Sequence, residues 1–237
     1  MWNLLGTRAV WSDALLSAEI NVANPAAGVA LNAVSGAVPR NDYRFLKILP
    51  VDRAPLAAPV ECYVRGQDLV ALYEPLPGDR VQPQIYWRAT ATGGAVGIEA
   101  VVSAQTSLLD SDPAFAAACE MAAGEVYALN ADGRSWSALE GRTTFSRGEV
   151  SGGFLIRPGH YRWSYFEAVH PADFLTARLE LAGERAVIHQ RLFRERLEKG
   201  VIRRGRIAAW FLPREGDEAL AADSWQNFRD SAPPLTT

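Results

Sequence analysis

From Gly153 to Pro213 the sequence reads as strand after strand with almost no helical period, which narrows the possible folds more than any other stretch does. Its clearest piece runs Arg185-Ala-Val-Ile-His-Gln-Arg-Leu-Phe-Arg-Glu-Arg, then Leu197-Glu-Lys-Gly200, then Val201-Ile-Arg-Arg-Gly-Arg-Ile-Ala-Ala-Trp-Phe-Leu. Two strand-like runs around a short turn that ends in glycine predict an antiparallel hairpin. A chain with this character is an all-β protein whose connections are hairpins.

Turn signals recur through the rest of the sequence. Leu15–Val22 and Gly28–Val34 are predicted strands joined at Ala23-Asn-Pro-Ala-Ala27, with Leu16, Ala18, Ile20 and Val22 on one side of the first. Pro39-Arg-Asn-Asp42 punctuates the chain before a strand over Tyr43–Val51. Two prolines in Asp52–Pro59 deny donors to a ladder and favour an extended link. Val60–Arg65 then turns through Gly66-Gln-Asp68 and returns as Leu69–Glu74. Pro75-Leu-Pro-Gly-Asp79 is the strongest turn signal, leading to Val81–Ala91, a reversal at Gly93-Gly94, and Ala95–Ser103. Turns every ~8–12 residues are the spacing of a sandwich or barrel.

Asp110–Gly148 breaks the pattern. Asp112 as N-cap and Pro113 in the first turn predict a short helix through Ala123, and Leu129–Gly148, rich in Gly, Ser, Asn, Asp and Arg, reads mainly as loop. Near the C-terminus, Leu220, Ser224 and Phe228 share a helical face beside Trp225, which predicts an amphipathic helix over Asp217–Arg229 and an extended tail from Pro233. The expected architecture is therefore a large sandwich of two mostly antiparallel sheets with about twelve strands, one short mid-chain helix and a short C-terminal helix. One domain is expected over residues 1–237, with a loop and helix excursion at about 110–148.

In strand count and hairpin order the chain resembles the sugar-epimerase supersandwich. The resemblance implies that fold; no catalytic residue is carried over with it.

Composition removes several classes. With 49% hydrophobic and 22% charged residues, the chain can bury a core without a disulfide or metal staple. A formal charge of -3 gives no global attraction to nucleic acid or anionic membrane. Two cysteines, Cys62 and Cys119, make neither a disulfide framework nor a metal knuckle, and Cys62, alternating with Val60 and Val64, is expected to be a buried free thiol. The first residues lack a basic segment followed by an apolar run, and no apolar run reaches ~18 residues, so a cytoplasmic location with no membrane span is expected.

Chemistry-bearing residues are sparse. His160, His170 and His189 are the only histidines. The first two flank a predicted strand and would stand about 33 Å apart on a continuous one, too far to share a metal. No metal and no cofactor is expected. A Gly-x-Ser-x-Gly elbow is missing, and Gly93-Gly-Ala-Val-Gly97 opens a strand rather than a helix, so it is a turn and not a phosphate loop.

Carboxylates on strands carry more interest, because sugar chemistry often needs two acids and little else. Glu99 stands opposite in parity to Val96, Ile98 and Val102. Glu167 shares a face with Tyr161, Trp163 and Tyr165, three aromatics and an acid on one side of one strand. That row is either a core face or a platform whose rings stack on sugar C–H surfaces. Tyr86 and Arg88 make a similar pair, with Trp87 between them turned inward beside Ile85 and Ala89. Seven basic residues from Arg191 to Arg206 form the remaining patch, with Glu215, Asp217, Glu218 and Asp223 as expected internal partners; nucleic acid is not the expected one.

Three functional classes follow. A non-catalytic carbohydrate- or small-ligand-binding domain would use Trp163, Tyr165, Tyr161, Tyr86 and Arg88. A sugar-modifying enzyme would use Glu167 or Glu99 as base and His160, His170 or His189 as acid. A structural or protein-interaction module would bury its edges against a protein partner or a second copy.

Overall fold

The computed structural model describes residues 1–39, 42–78 and 80–232. Arg40, Asn41 and Asp79 of two expected turns, and the expected tail from Pro233, lie outside the described residues. In chain order the strands are β1 (Trp2–Leu5), β2 (Arg8–Ser12), β3 (Leu16–Asn21), β4 (Val29–Val34), β5 (Arg44–Pro50), β6 (Pro59–Arg65), β7 (Asp68–Tyr73), β8 (Val81–Thr92) and β9 (Ala95–Thr106). They continue as β10 (Ala114–Ala122), β11 (Glu125–Asn130), β12 (Trp136–Ala138), β13 (Arg142–Ser146), β14 (Val150–Arg157), β15 (Trp163–Val169), β16 (Thr176–Ala182), β17 (Arg185–Arg194) and β18 (Ile202–Pro213). One α-helix, α1 (Asp217–Asp230), follows.

These strands make two nine-stranded antiparallel sheets. The first has the order β1-β2-β3-β4-β5-β10-β17-β16-β13, and the second β12-β11-β14-β15-β18-β9-β8-β7-β6. Alternation decides what each strand buries. Leu16, Ala18 and Ile20 of β3, Ile85 and Trp87 of β8, and Ile98, Ala100 and Val102 of β9 all point into the layer between the sheets. Each large apolar side chain buried there contributes roughly 1.5–3 kcal/mol, so the layer itself holds the sheets together. No disulfide assists: Cys119 is buried and free, and Cys62 is free but only half-buried, not buried as expected.

The mid-chain helix is corrected to a strand. Ala114–Ala122 is β10, in the middle of the first sheet between β5 and β17. Its alanines suit a helix intrinsically, yet Phe115, Ala117, Cys119 and Met121 also alternate, and all four are buried. Two neighbouring strands supply the backbone partners, and tertiary context overrides propensity. The expected loop Leu129–Gly148 likewise holds the end of β11 and the short strands β12 and β13. The last two are largely exposed edge strands, whose polar side chains read as loop.

The hairpin at 185–212 is also corrected. β17 pairs with β10 and β16, while β18 pairs with β15 and β9 in the other sheet. The chain arches across the sandwich at 195–201 instead of reversing within one sheet. Gly205 lets β17 and β18 face each other closely across the core: a Cβ there would lie 2.6 Å from the Phe193 ring on the opposite sheet.

The C-terminal helix forms where expected. Ala221, Trp225 and Phe228 cover an apolar patch on the outer face of the second sheet, built from Leu155, Phe166, Trp210 and Leu212. This covers the β14–β15–β18 half of that face. No described element covers the β6–β9 half.

Candidate functional site

On the open half, the parity of β8 points Gln82, Gln84, Tyr86 and Arg88 outward and leaves Trp87 fully buried. Sheet register adds neighbours from other strands: Gln105 beside Gln82, Ser103 beside Gln84, Glu99 beside Arg88, and Arg204 on the far side of Ser103. Gln82, Gln84, Tyr86, Ser103, Gln105 and Arg204, with Tyr63, Arg65 and Ile202, line a hollow of about 200 Å³, and Arg88 and Glu99 lie outside its lining. Its polar groups are held in place. The Tyr86 hydroxyl donates to Gln84 Oε1 at 2.6 Å, and Gln105 Nε2 donates to Gln82 Oε1 at 3.0 Å. Arg88 grips Asp68 through two hydrogen bonds, at 2.6 and 2.8 Å, which raises its already high pKa. Glu99 accepts from Arg206 Nε at 2.7 Å, so this carboxylate is neutralised by a buried guanidinium.

A second hollow opens at one end of the sandwich. The turn before β15 sets Tyr161 and Trp163 in a stack with ring centres 4.8 Å apart, and Tyr43 meets both edge-on at 6.0 and 5.8 Å. Beside them is a cavity of about 430 Å³, walled by Leu15 and Val34 from the first sheet and Val96, Phe211 and Leu212 from the second. His160 and Arg162 are exposed at its rim. Trp163 is 5% exposed, and its indole N–H has no partner among the described residues.

Tyr165 and Glu167 are sealed between the sheets and touch neither hollow. The Tyr165 hydroxyl donates to Glu167 Oε2 at 2.6 Å, and Gln190 Nε2, from the opposite sheet, donates to Oε1 at 3.0 Å. The Leu46 amide and the Cys119 thiol complete the cage. Burial pushes the Glu167 carboxyl up to about 7 despite these donors, because burial disfavours the charged form more than they favour it.

The histidines are dispersed. His160 is at the end cavity. His170 lies at the other end of β15, with Nε2 3.1 Å from the Arg229 carbonyl and its ring edge-on to Phe228. His189 projects from β17 in the first sheet, where burial lowers its pKa. None pairs with Glu167 or Glu99. Among the described residues no group of three His, Cys, Asp or Glu side chains is placed to hold a metal ion.

The basic patch finds partners other than those expected. Arg194 pairs with Asp112 at 3.3 Å, Arg196 with Asp110, Arg203 with Asp173 at 2.9 Å, and Arg206 with Glu99 at 2.7 Å. Asp217 and Glu218 go to Arg157 instead. Sequence reasoning found Tyr86 and Arg88 but missed Gln82 and Gln84, although all four share one parity on β8. Tyr63, Ser103, Gln105 and Arg204 join them only through sheet order.

No protein-family model matches the chain, and no curated protein matches it in sequence. Solved structures do match. A putative aldose 1-epimerase from Escherichia coli superposes with a TM-score of 0.59 at 7% identity, over 86% of this chain and 98% of that one. The Slr1438 protein of Synechocystis sp. PCC 6803 gives 0.57 at 10% identity, over 90% and 100% of the two chains. An alpha-N-acetylgalactosaminidase from Bifidobacterium bifidum gives 0.55 at 12% identity, with 97% of this chain covering 39% of that one. The likeness is one of fold. This chain shares the two-sheet β-sandwich fold of these structures, with its open sheet face and end cavity free of any covering element among the described residues.

Proposed function

We propose that the protein is a non-catalytic carbohydrate-binding domain, and that the sugar lies on the open outer face of the second sheet. The observation that carries this reading is the hollow of Tyr63, Gln84, Tyr86, Ser103, Gln105 and Arg204. A sugar hydroxyl both donates and accepts. Glutamine amides and tyrosine and serine hydroxyls do the same, while Arg204 adds donors. The half-buried ring of Tyr63 suits the C–H face of a pyranose, and the buried Tyr86 packs beside it and supports it. Arg88, fixed by Asp68, bounds the site rather than entering it. Two solved structures that share the fold are named for sugar chemistry, which points the same way.

The catalytic reading would need an acid or base within reach of a substrate. Glu167 has a suitable pKa, but its complete burial argues against contact with a sugar.

Calorimetric titration with galactose, N-acetylgalactosamine and their oligosaccharides tests the proposal. At least one is expected to bind, with affinity falling about tenfold or more in Gln84→Ala and Arg204→Ala and unchanged in Glu167→Gln. Failure of every sugar to bind, or equal binding by the two face variants, rules the reading out.

A further inference from the structure

The end cavity has a different chemistry from the sheet face. Its walls are apolar and aromatic, and a sugar inside would set hydroxyls against Leu15, Val34, Val96 and Phe211 with nothing to bond them. An apolar body fits such walls. The polar groups present are donors or cations in the main: Arg162 and His160 at the rim, and no carboxylate anywhere in the lining. Arg162 forms no ion pair among the described residues. Trp163 contributes its ring to the wall, while its indole N–H is sealed away from the cavity, so Arg162 is the cation a ligand there would meet.

We propose that this cavity binds a small apolar monocarboxylate, an acid with an aromatic or short alkyl body. The body lies against Tyr161, Trp163 and Phe211. The carboxylate is met by Arg162 at the rim. The volume of about 430 Å³ lies within the ~300–1,000 Å³ of small-molecule sites. This site is separate from the sugar-binding face, and the two readings stand or fall apart.

Calorimetric titration with benzoate and hexanoate, beside benzamide as the uncharged counterpart of benzoate and galactose as a sugar, provides the test. Benzoate or hexanoate is expected to bind, and benzoate at least tenfold more tightly than benzamide. Arg162→Gln, an exposed change that leaves the core intact, should weaken carboxylate binding about tenfold. Gln84→Ala should leave it unchanged. The proposal is overturned if neither carboxylate binds at millimolar concentration or if benzamide binds as tightly as benzoate. It is equally overturned if Arg162→Gln has no effect or if galactose displaces the carboxylate.

Discussion

A carboxyl with no exposure, such as that of Glu167, is costly unless its surroundings supply donors. The protein supplies them from both sheets, and one comes at a local cost. Leu46, fully buried, takes φ 49 at an irregularity in the β5–β10 register, and its amide meets the carboxyl. A non-glycine residue in this region stores on the order of 1–3 kcal/mol. The Glu167 pKa of about 7 in the folded state lies above its ordinary 4.5. The folded state therefore holds a proton that the unfolded chain has released, so stability falls as pH rises from about 4.5 to about 7 and is level above that. The full effect is on the order of 3 kcal/mol. Glu167→Gln should remove this slope and raise stability at pH 8, because Gln190 Oε1, without a partner among the described residues, can turn to accept from the new amide. Urea denaturation at pH 5 and pH 8 measures both; an unchanged slope in the variant would assign the pH dependence elsewhere.

At the scale of elements, α1 determines which part of the second sheet is available. Its apolar face covers Phe166 and Trp210, and its first residue fastens it. Asp217 accepts from Arg157 at 2.6 and 2.9 Å and from Ser164 at 2.5 Å. Burial alone would push the Asp217 carboxyl up, but Arg157 and Ser164 outweigh it and hold the group below its usual range. The stabilisation is thus present above pH ~4 and is lost as pH falls through the lowered value. Asp217→Asn should cost about 2 kcal/mol, less than the ~3–5 of a fully buried pair, because Glu218 and Glu125 still hold Arg157. Urea unfolding would read this, and a change within a few tenths would mean that packing of Trp225 and Phe228 alone docks the helix. This helix was legible in the sequence because its spacing fits one period only. β10 was not, since Phe115, Ala117, Cys119 and Met121 satisfy a strand while the alanines among them satisfy a helix. The arch at 195–201 was not legible either: Leu197–Gly200 ends a strand equally well whether the next one pairs beside it or across the core. The site divides in the same way. Tyr86 and Arg88 are local to one strand, whereas the contribution of Tyr63, Ser103 and Arg204 depends on which strands become neighbours.

For the whole molecule, strand order matters more than strand count. The first sheet takes β1–β5, then β10, β13, β16 and β17, so the chain crosses between sheets repeatedly. Each sheet also has a late or distant strand at its centre. β18, last in the chain, joins β15 to β9 and thereby unites the two halves of the second sheet. β10 does the same for β5 and β17 in the first. Without β18 the second sheet is two four-stranded fragments with open inner edges, neither backed by a completed core. β18 and β10 each tie an early part of their sheet to a late part, so the whole is expected to unfold as one unit. Pairings of such high sequence separation also make slow folding the expectation. In a calorimetric scan the protein should show one transition whose van't Hoff enthalpy equals the calorimetric one. A chain ending at Lys199, lacking β18 and α1, should expose the Phe166 surface and aggregate. Two resolved transitions, or a cooperatively folded truncated chain, would mean that the β1–β9 segment closes on itself, and that the central position of β18 is a late addition rather than the keystone of the second sheet.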